Sequence, residues 1–154
     1  MVDARVVLKW FLREPDSAAA DFLLEKFLND EIELLAPDLI LVETASALWT
    51  RVVVRKEMSA DEATHIYRDL LTLPLSLIAS GTMADATLQV ALKHSHSVYD
   101  VLYCALAIER HCDFVTADRT LANKLQGVFP FTCIFQPSNH DSHLPQAAPQ
   151  RRAS

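Results

Sequence analysis

The chain has 154 residues, 51% of them hydrophobic, with only 2 Gly, 7 Pro and a formal net charge of −6. That length suits one domain with a real core, and the composition excludes a fibrous or loop-rich chain. No run approaches about 18 uncharged apolar residues, which excludes a membrane-spanning helix. Asp3 and Arg5 interrupt the N-terminus at once, which argues against a signal peptide and for a cytoplasmic protein.

Residues 1–7 read as a short buried strand that breaks off near Asp3, followed by an apolar run over 6–12. Asp16 or Ser17 is suited to cap a helix over 17–29, where Phe22, Leu23, Lys26 and Phe27 fall near a 3.6 period. A strand over 33–36 stops at Pro37-Asp38, and a helix over 39–55 carries Glu43 in its first turns. Ser59-Ala60-Asp61-Glu62 has the form of a capping box, opening a helix to Leu73 that Pro74 ends. A strand over 75–79 and a turn at 80–82 lead to helices over 83–94 and 98–111. A strand over 114–116, a helix over 120–126 and a strand over 132–135 complete the domain. Short apolar strands alternating with amphipathic helices predict an α/β fold, a mostly parallel sheet flanked by helices in three layers. The domain is expected to span 1–136, with residues 137–154 too polar and aperiodic to bury much surface and read as a disordered tail.

Cys104, Cys112 and Cys133 are odd in number and form no CxxC pair. Cys104 and Cys112 are expected on one helix, too far apart for a disulfide, and so reduced. The six His do not fall at zinc-ligand spacing beside them.

Four acids sit where a bland fold has no need of them. Asp3 interrupts the first apolar strand, Glu43 follows Leu39-Ile40-Leu41-Val42, Asp100 lies between Ser97-Val98-Tyr99 and Val101-Leu102-Tyr103, and Asp118 follows Phe114-Val115-Thr116-Ala117. Sites in open parallel sheets form beyond the carboxyl ends of the strands. Facing carboxylates repel unless a cation neutralises them, and an all-oxygen set suits Mg²⁺ or Mn²⁺. Such a cluster points to phosphate chemistry. The net negative charge counts against a nucleic-acid binder, although carboxylates around a metal supply part of it.

The stretches Val2-Asp3-Ala4-Arg5, Ala36-Pro37-Asp38-Leu39 running into Glu43-Thr44-Ala45, Ser97-Val98-Tyr99-Asp100 and Thr116-Ala117-Asp118-Arg119 together resemble the four motifs of VapC-like PIN-domain proteins. The resemblance covers nearly all of residues 1–135. It implies a Mg²⁺- or Mn²⁺-dependent endoribonuclease, the toxin of a toxin–antitoxin pair, dimeric and blocked by a cognate antitoxin. Carried over, Asp3, Glu43, Asp100 and Asp118 are the catalytic acids, with Asp3, Asp100 and Asp118 as metal ligands. Thr116 is expected to support the site through its hydroxyl. Arg5, Lys9, Arg51 and Arg119 are candidate holders of RNA phosphates. A structure-specific DNA nuclease and a catalytically weak module acting through its antitoxin are the alternatives.

Two departures stand out. Only Met1 and Val2 precede Asp3 where the family usually has a longer central strand, so either the strand is shortened or the true start lies upstream. Arg5 stands where the family usually has Ser or Thr. It puts a fixed positive charge near the metal position, which either weakens metal binding or grips phosphate.

Overall fold

The computed structural model describes residues 1–12, 17–126, 128–129 and 132–134. Asp16 and the expected tail over 137–154 lie outside them. Helix α1 (Ala4–Lys9) follows directly on Asp3, and α2 (Ser17–Leu28) comes next. Strand β1 (Leu35–Pro37) leads into α3 (Leu39–Trp49), which runs on into a π-helical turn at Thr50–Val54. Helix α4 (Ala60–Thr72) is capped by the Ser59 hydroxyl, which accepts from the Glu62 amide at 3.1 Å. Then come β2 (Ser76–Ile78), a 3₁₀ turn at Ser80–Met83, α5 (Ala84–His94), α6 (Val98–Glu109), β3 (Phe114–Thr116), α7 (Arg119–Gln126) and β4 (Thr132–Ile134).

The strands are parallel. β1 pairs with β2 and β3 with β4. The N-terminal segment sits between the two pairs: Val2 bridges to Val115, its amide donates to the Leu35 carbonyl at 2.9 Å, and the Val115 amide donates to the Met1 carbonyl at 2.8 Å. The expected first strand is thus reduced to one bridging residue. It stops there because Asp3 turns the chain into a helix. Asp3 is extended and its carboxylate accepts from the Val6 amide at 2.9 Å, capping α1. The apolar run over 6–12 therefore begins as a helix, with Val6, Val7 and Leu8 buried.

Successive strand side chains face opposite ways, so β1 and β3 each feed two cores. Met1, Ile78 and Phe114 pack with Ala91, Val101, Leu106 and Leu125 from α5, α6 and α7. Val2, Leu34 and Ala36 pack with Val6, Phe27, Ile40 and Leu70 from α1–α4. Leu8, Leu48 and Ile66 continue that second layer where α1, α3 and α4 meet. The result is the three-layer α/β/α arrangement expected.

One detail corrects the sequence reading. Helix α6 ends at Glu109 and His111 takes a left-handed conformation (φ 52°), so Cys112 lies past the helix rather than on it. Cys104 is buried, Cys112 is half-buried, and both are free thiols. No helix among the described residues is long and apolar enough to cross a membrane.

Candidate active site

The four acids lie where strands give way to helices: Asp3 caps α1, Glu43 lies in the second turn of α3, Asp100 in the first turn of α6, and Asp118 just before α7. Asp3 is the most deeply placed, at 6% exposure. One carboxylate oxygen caps α1 and the other accepts from the Thr116 hydroxyl at the end of β3. The Thr116 oxygen accepts in turn from the Asp118 amide at 3.0 Å. Thr116 therefore ties the loop after β3 to the start of α1. Asp118 folds back on its own helix, its Oδ1 accepting from the Thr120 and Leu121 amides at 2.9 and 3.1 Å. Its Oδ2 meets the Arg5 guanidinium at 3.1 Å. Helix capping and the ion pair thus use different oxygens of one carboxylate.

Glu43, half-buried on α3, accepts from the Tyr103 hydroxyl of α6 at 2.5 Å. Asp100 sits in the first turn of α6, which the Ser97 hydroxyl caps. Tyr103 stacks on Phe114, ring centroids 5.4 Å apart, so its hydroxyl is aimed by the core. In sequence Tyr103 reads as a core or dimer-contact aromatic and not as a site residue. Its one signal is its position, three residues after Asp100 and so on the same helix face.

The electrostatics link these groups in a chain. Burial pushes the Asp3 carboxyl up to about 6, against the pull of Thr116, the Val6 amide and Arg5, with Glu43 adding to the rise. Burial also raises Glu43, opposed by Tyr103 and reinforced by Asp100. Asp100 is raised by burial, opposed by Lys124 and reinforced by Asp118. Burial and the Glu43 charge hold the Tyr103 phenol far above its ordinary range, so it remains a donor.

An oxygen-only donor set that is buried and self-repelling suits a hard divalent cation. Among the described residues no three His, Cys, Asp or Glu converge closely enough to hold one. Lys124 acts on Asp100, and Arg5 pairs with Asp118 and acts on both Asp3 and Asp100. The acids fit the cation by their chemistry, and the guanidinium stands in for its charge.

Beside the acids runs a groove lined by Arg5, Lys9, Arg51 and Arg55, with Ala117 at its acidic end. The π-helical turn carries Arg51, and Arg55 follows it. Glu57 pairs with both, at 3.0 and 3.8 Å. Arg119 is exposed at the start of α7 and is not among the groove residues. Arg55, not among the candidates from sequence, is one of them.

Thr116→Val tests the tie between β3 and α1. It keeps the shape of a fully buried side chain and removes both hydrogen bonds. A loss of about 1–3 kcal/mol is expected in denaturant unfolding. An unchanged midpoint would mean that the hydroxyl holds nothing in place.

Residues 1–124 match the family model described as PIN domain. Over 126 residues the chain is 30% identical to Ribonuclease VapC3 of Pyrobaculum aerophilum, covering 80% of this chain and 92% of that protein. The fold resembles the crystal structure of PAE2754 from Pyrobaculum aerophilum, with a TM-score of 0.60, 19% identity and 87% of each chain covered.

Proposed function

Since the chain belongs to the PIN-domain family and is VapC-like over most of its length, we propose that it is a divalent-metal-dependent endoribonuclease, the toxin of a toxin–antitoxin pair. The observation that carries this reading is the placing of Asp3, Glu43, Asp100 and Asp118 as electrostatic neighbours at one edge of the sheet. Asp3, Asp100 and Asp118 would hold Mg²⁺ or Mn²⁺, with Glu43 beside them. The bound ion supplies positive charge for phosphate oxygens and acidifies the attacking water.

The remaining work falls to the chain. Thr116 and the Val6 amide fix Asp3 in one orientation, and Tyr103 fixes Glu43. Glu43, whose carboxyl burial raises above its ordinary range, is suited to accept a proton from water. The groove of Arg5, Lys9, Arg51 and Arg55 offers a cationic path for a nucleic-acid backbone on a chain that is negative overall. Exposed Val42, Trp49, Val54 and Leu92 provide apolar surface for a second copy or for the antitoxin, in the cytoplasmic setting such a pair requires.

One observation favours a second reading, a weak module that acts through its antitoxin: the Arg5–Asp118 pair occupies a carboxylate that the metal needs. Purified, antitoxin-free protein incubated with total RNA separates the two. Discrete cleavage is expected in Mg²⁺ or Mn²⁺ and not in EDTA, with Asp100→Ala about a hundredfold slower. Cleavage of single-stranded DNA instead would select the DNA-nuclease alternative. Metal-independent cleavage, or none, would sink the enzyme reading.

A further inference from the structure

Arg5 belongs to two neighbourhoods at once. Its guanidinium meets Asp118 Oδ2, and its charge bears on Asp3 and Asp100. The same side chain lines the groove with Lys9, Arg51 and Arg55. The pair is lopsided in exposure: the Arg5 side chain is 68% accessible and Asp118 21%. A pair with one member so wet contributes little, so the guanidinium changes partner at little cost. Its backbone does not have to move, because the Asp3 cap pins the start of α1. Asp118 does not have to move either, because the Thr120 and Leu121 amides hold its other oxygen. Among the described residues, the ion pair to Asp118 is the contact broken when Arg5 leaves.

A guanidinium and a divalent cation repel, and cannot both serve the Asp118 oxygen at full strength. A phosphate in the groove offers that guanidinium an alternative bidentate anion. We propose that Arg5 is a removable counter-cation, which an oligonucleotide backbone draws out of the acid cluster, so that nucleic acid and divalent metal bind with positive coupling. The proposal rests on the reading of the acids as a metal site. It has a reciprocal form: metal in the cluster releases Arg5 to the groove and tightens the hold on the strand by the same factor.

The test measures binding, with no turnover. Mn²⁺ is titrated into the full chain, with free ion followed by electron paramagnetic resonance. Titrations are run alone and with a short phosphorothioate oligodeoxynucleotide, whose own Mn²⁺ binding is subtracted. Arg5→Ser should bind Mn²⁺ about fivefold tighter than the parent chain when no oligonucleotide is present. The oligonucleotide should tighten Mn²⁺ binding to the parent by about the same factor and leave the variant nearly unchanged. Equal Mn²⁺ affinity in the two proteins, or equal tightening in both, overturns the counter-cation role and leaves the metal site standing. Absence of Mn²⁺ binding in both overturns the metal-site reading, and the proposal with it.

Discussion

Asp3→Asn is expected to make the metal-free protein more stable while reducing cleavage about a thousandfold or more. The stability half follows from the raised carboxyl. Asp3 is buried at 6% exposure and its pKa rises from the ordinary 3.8 to about 6. The folded state therefore binds the proton more tightly than the unfolded state does. Between those values the native state carries more protons, so this group makes stability fall as pH rises. Its favourable contribution is whole below pH 3.8 and gone above about 6. A shift of that size corresponds to about 3 kcal/mol. Asparagine mimics the neutral acid and can still accept from the Val6 amide, so most of that penalty is removed. In EDTA at pH 7.5 the variant should gain about 2 kcal/mol in denaturant unfolding, with the gain vanishing by about pH 4. A variant less stable than the parent at pH 7.5 would mean that the ionised carboxylate holds the fold together. The activity half follows from removing the deepest anion of the proposed metal site, which costs the several kcal/mol of charge stabilisation such an ion supplies. Paired opposite effects at one residue would mark a site that trades stability for function.

Phe114→Ala should cost about 3–5 kcal/mol, a large share of the whole stability of a domain this size. Phe114 is fully buried, stacks on Tyr103 and packs among Val101, Leu106 and Leu125. It also opens β3, the strand that reaches Val2 through Val115 and Asp3 through Thr116. The cavity would unseat the Tyr103 ring that aims its hydroxyl at Glu43. Chemical denaturation measures the loss. A cost below about 1 kcal/mol would show that the core closes around the gap and that β3 is not anchored there.

Much of this architecture is written in local punctuation. Pro37, the Ser59 capping box and Pro74 bracket β1, α4 and β2 closely, and β3 falls on the three residues between Asp113 and Ala117. Other features resist reading because one residue carries two signals. Asp3 looks like an acid interrupting a strand, yet it also caps α1, and the short run Val6-Val7-Leu8 has too few turns to show a helical period. Helix ends are hard to place because four of these stops use left-handed Asp30, Lys56, Ser95 and His111 in a chain with only 2 Gly. That is why α6 ends two residues earlier than expected, short of Cys112.

The acids themselves are conspicuous in sequence because each breaks or follows an apolar run. Their attendants are not. The Tyr103–Glu43 bond joins positions 60 apart, and no local pattern encodes it. The groove draws on α1 and on a π-helical turn that no periodicity announces, which is how Arg55 joins Arg5, Lys9 and Arg51 there. Arg5 reads from sequence as an oddity of charge. Only the fold shows that it touches Asp118 and the groove together.

The single bridging residue at the centre of the sheet also bears on how the molecule comes into being. Val2 waits for Val115, and Asp3 for a hydroxyl 113 positions away. Contacts of such long sequence separation are late and slow to form, because the intervening loop must close first. Synthesis runs the other way, with the first residues emerging long before their partners. A nascent chain that has not reached Thr116 leaves Asp3 without its second anchor, the Thr116 hydroxyl, and Asp118 does not yet exist. The acid cluster is assembled only when nearly all of the domain has been released, so on the proposed function an interrupted translation product is an inert one.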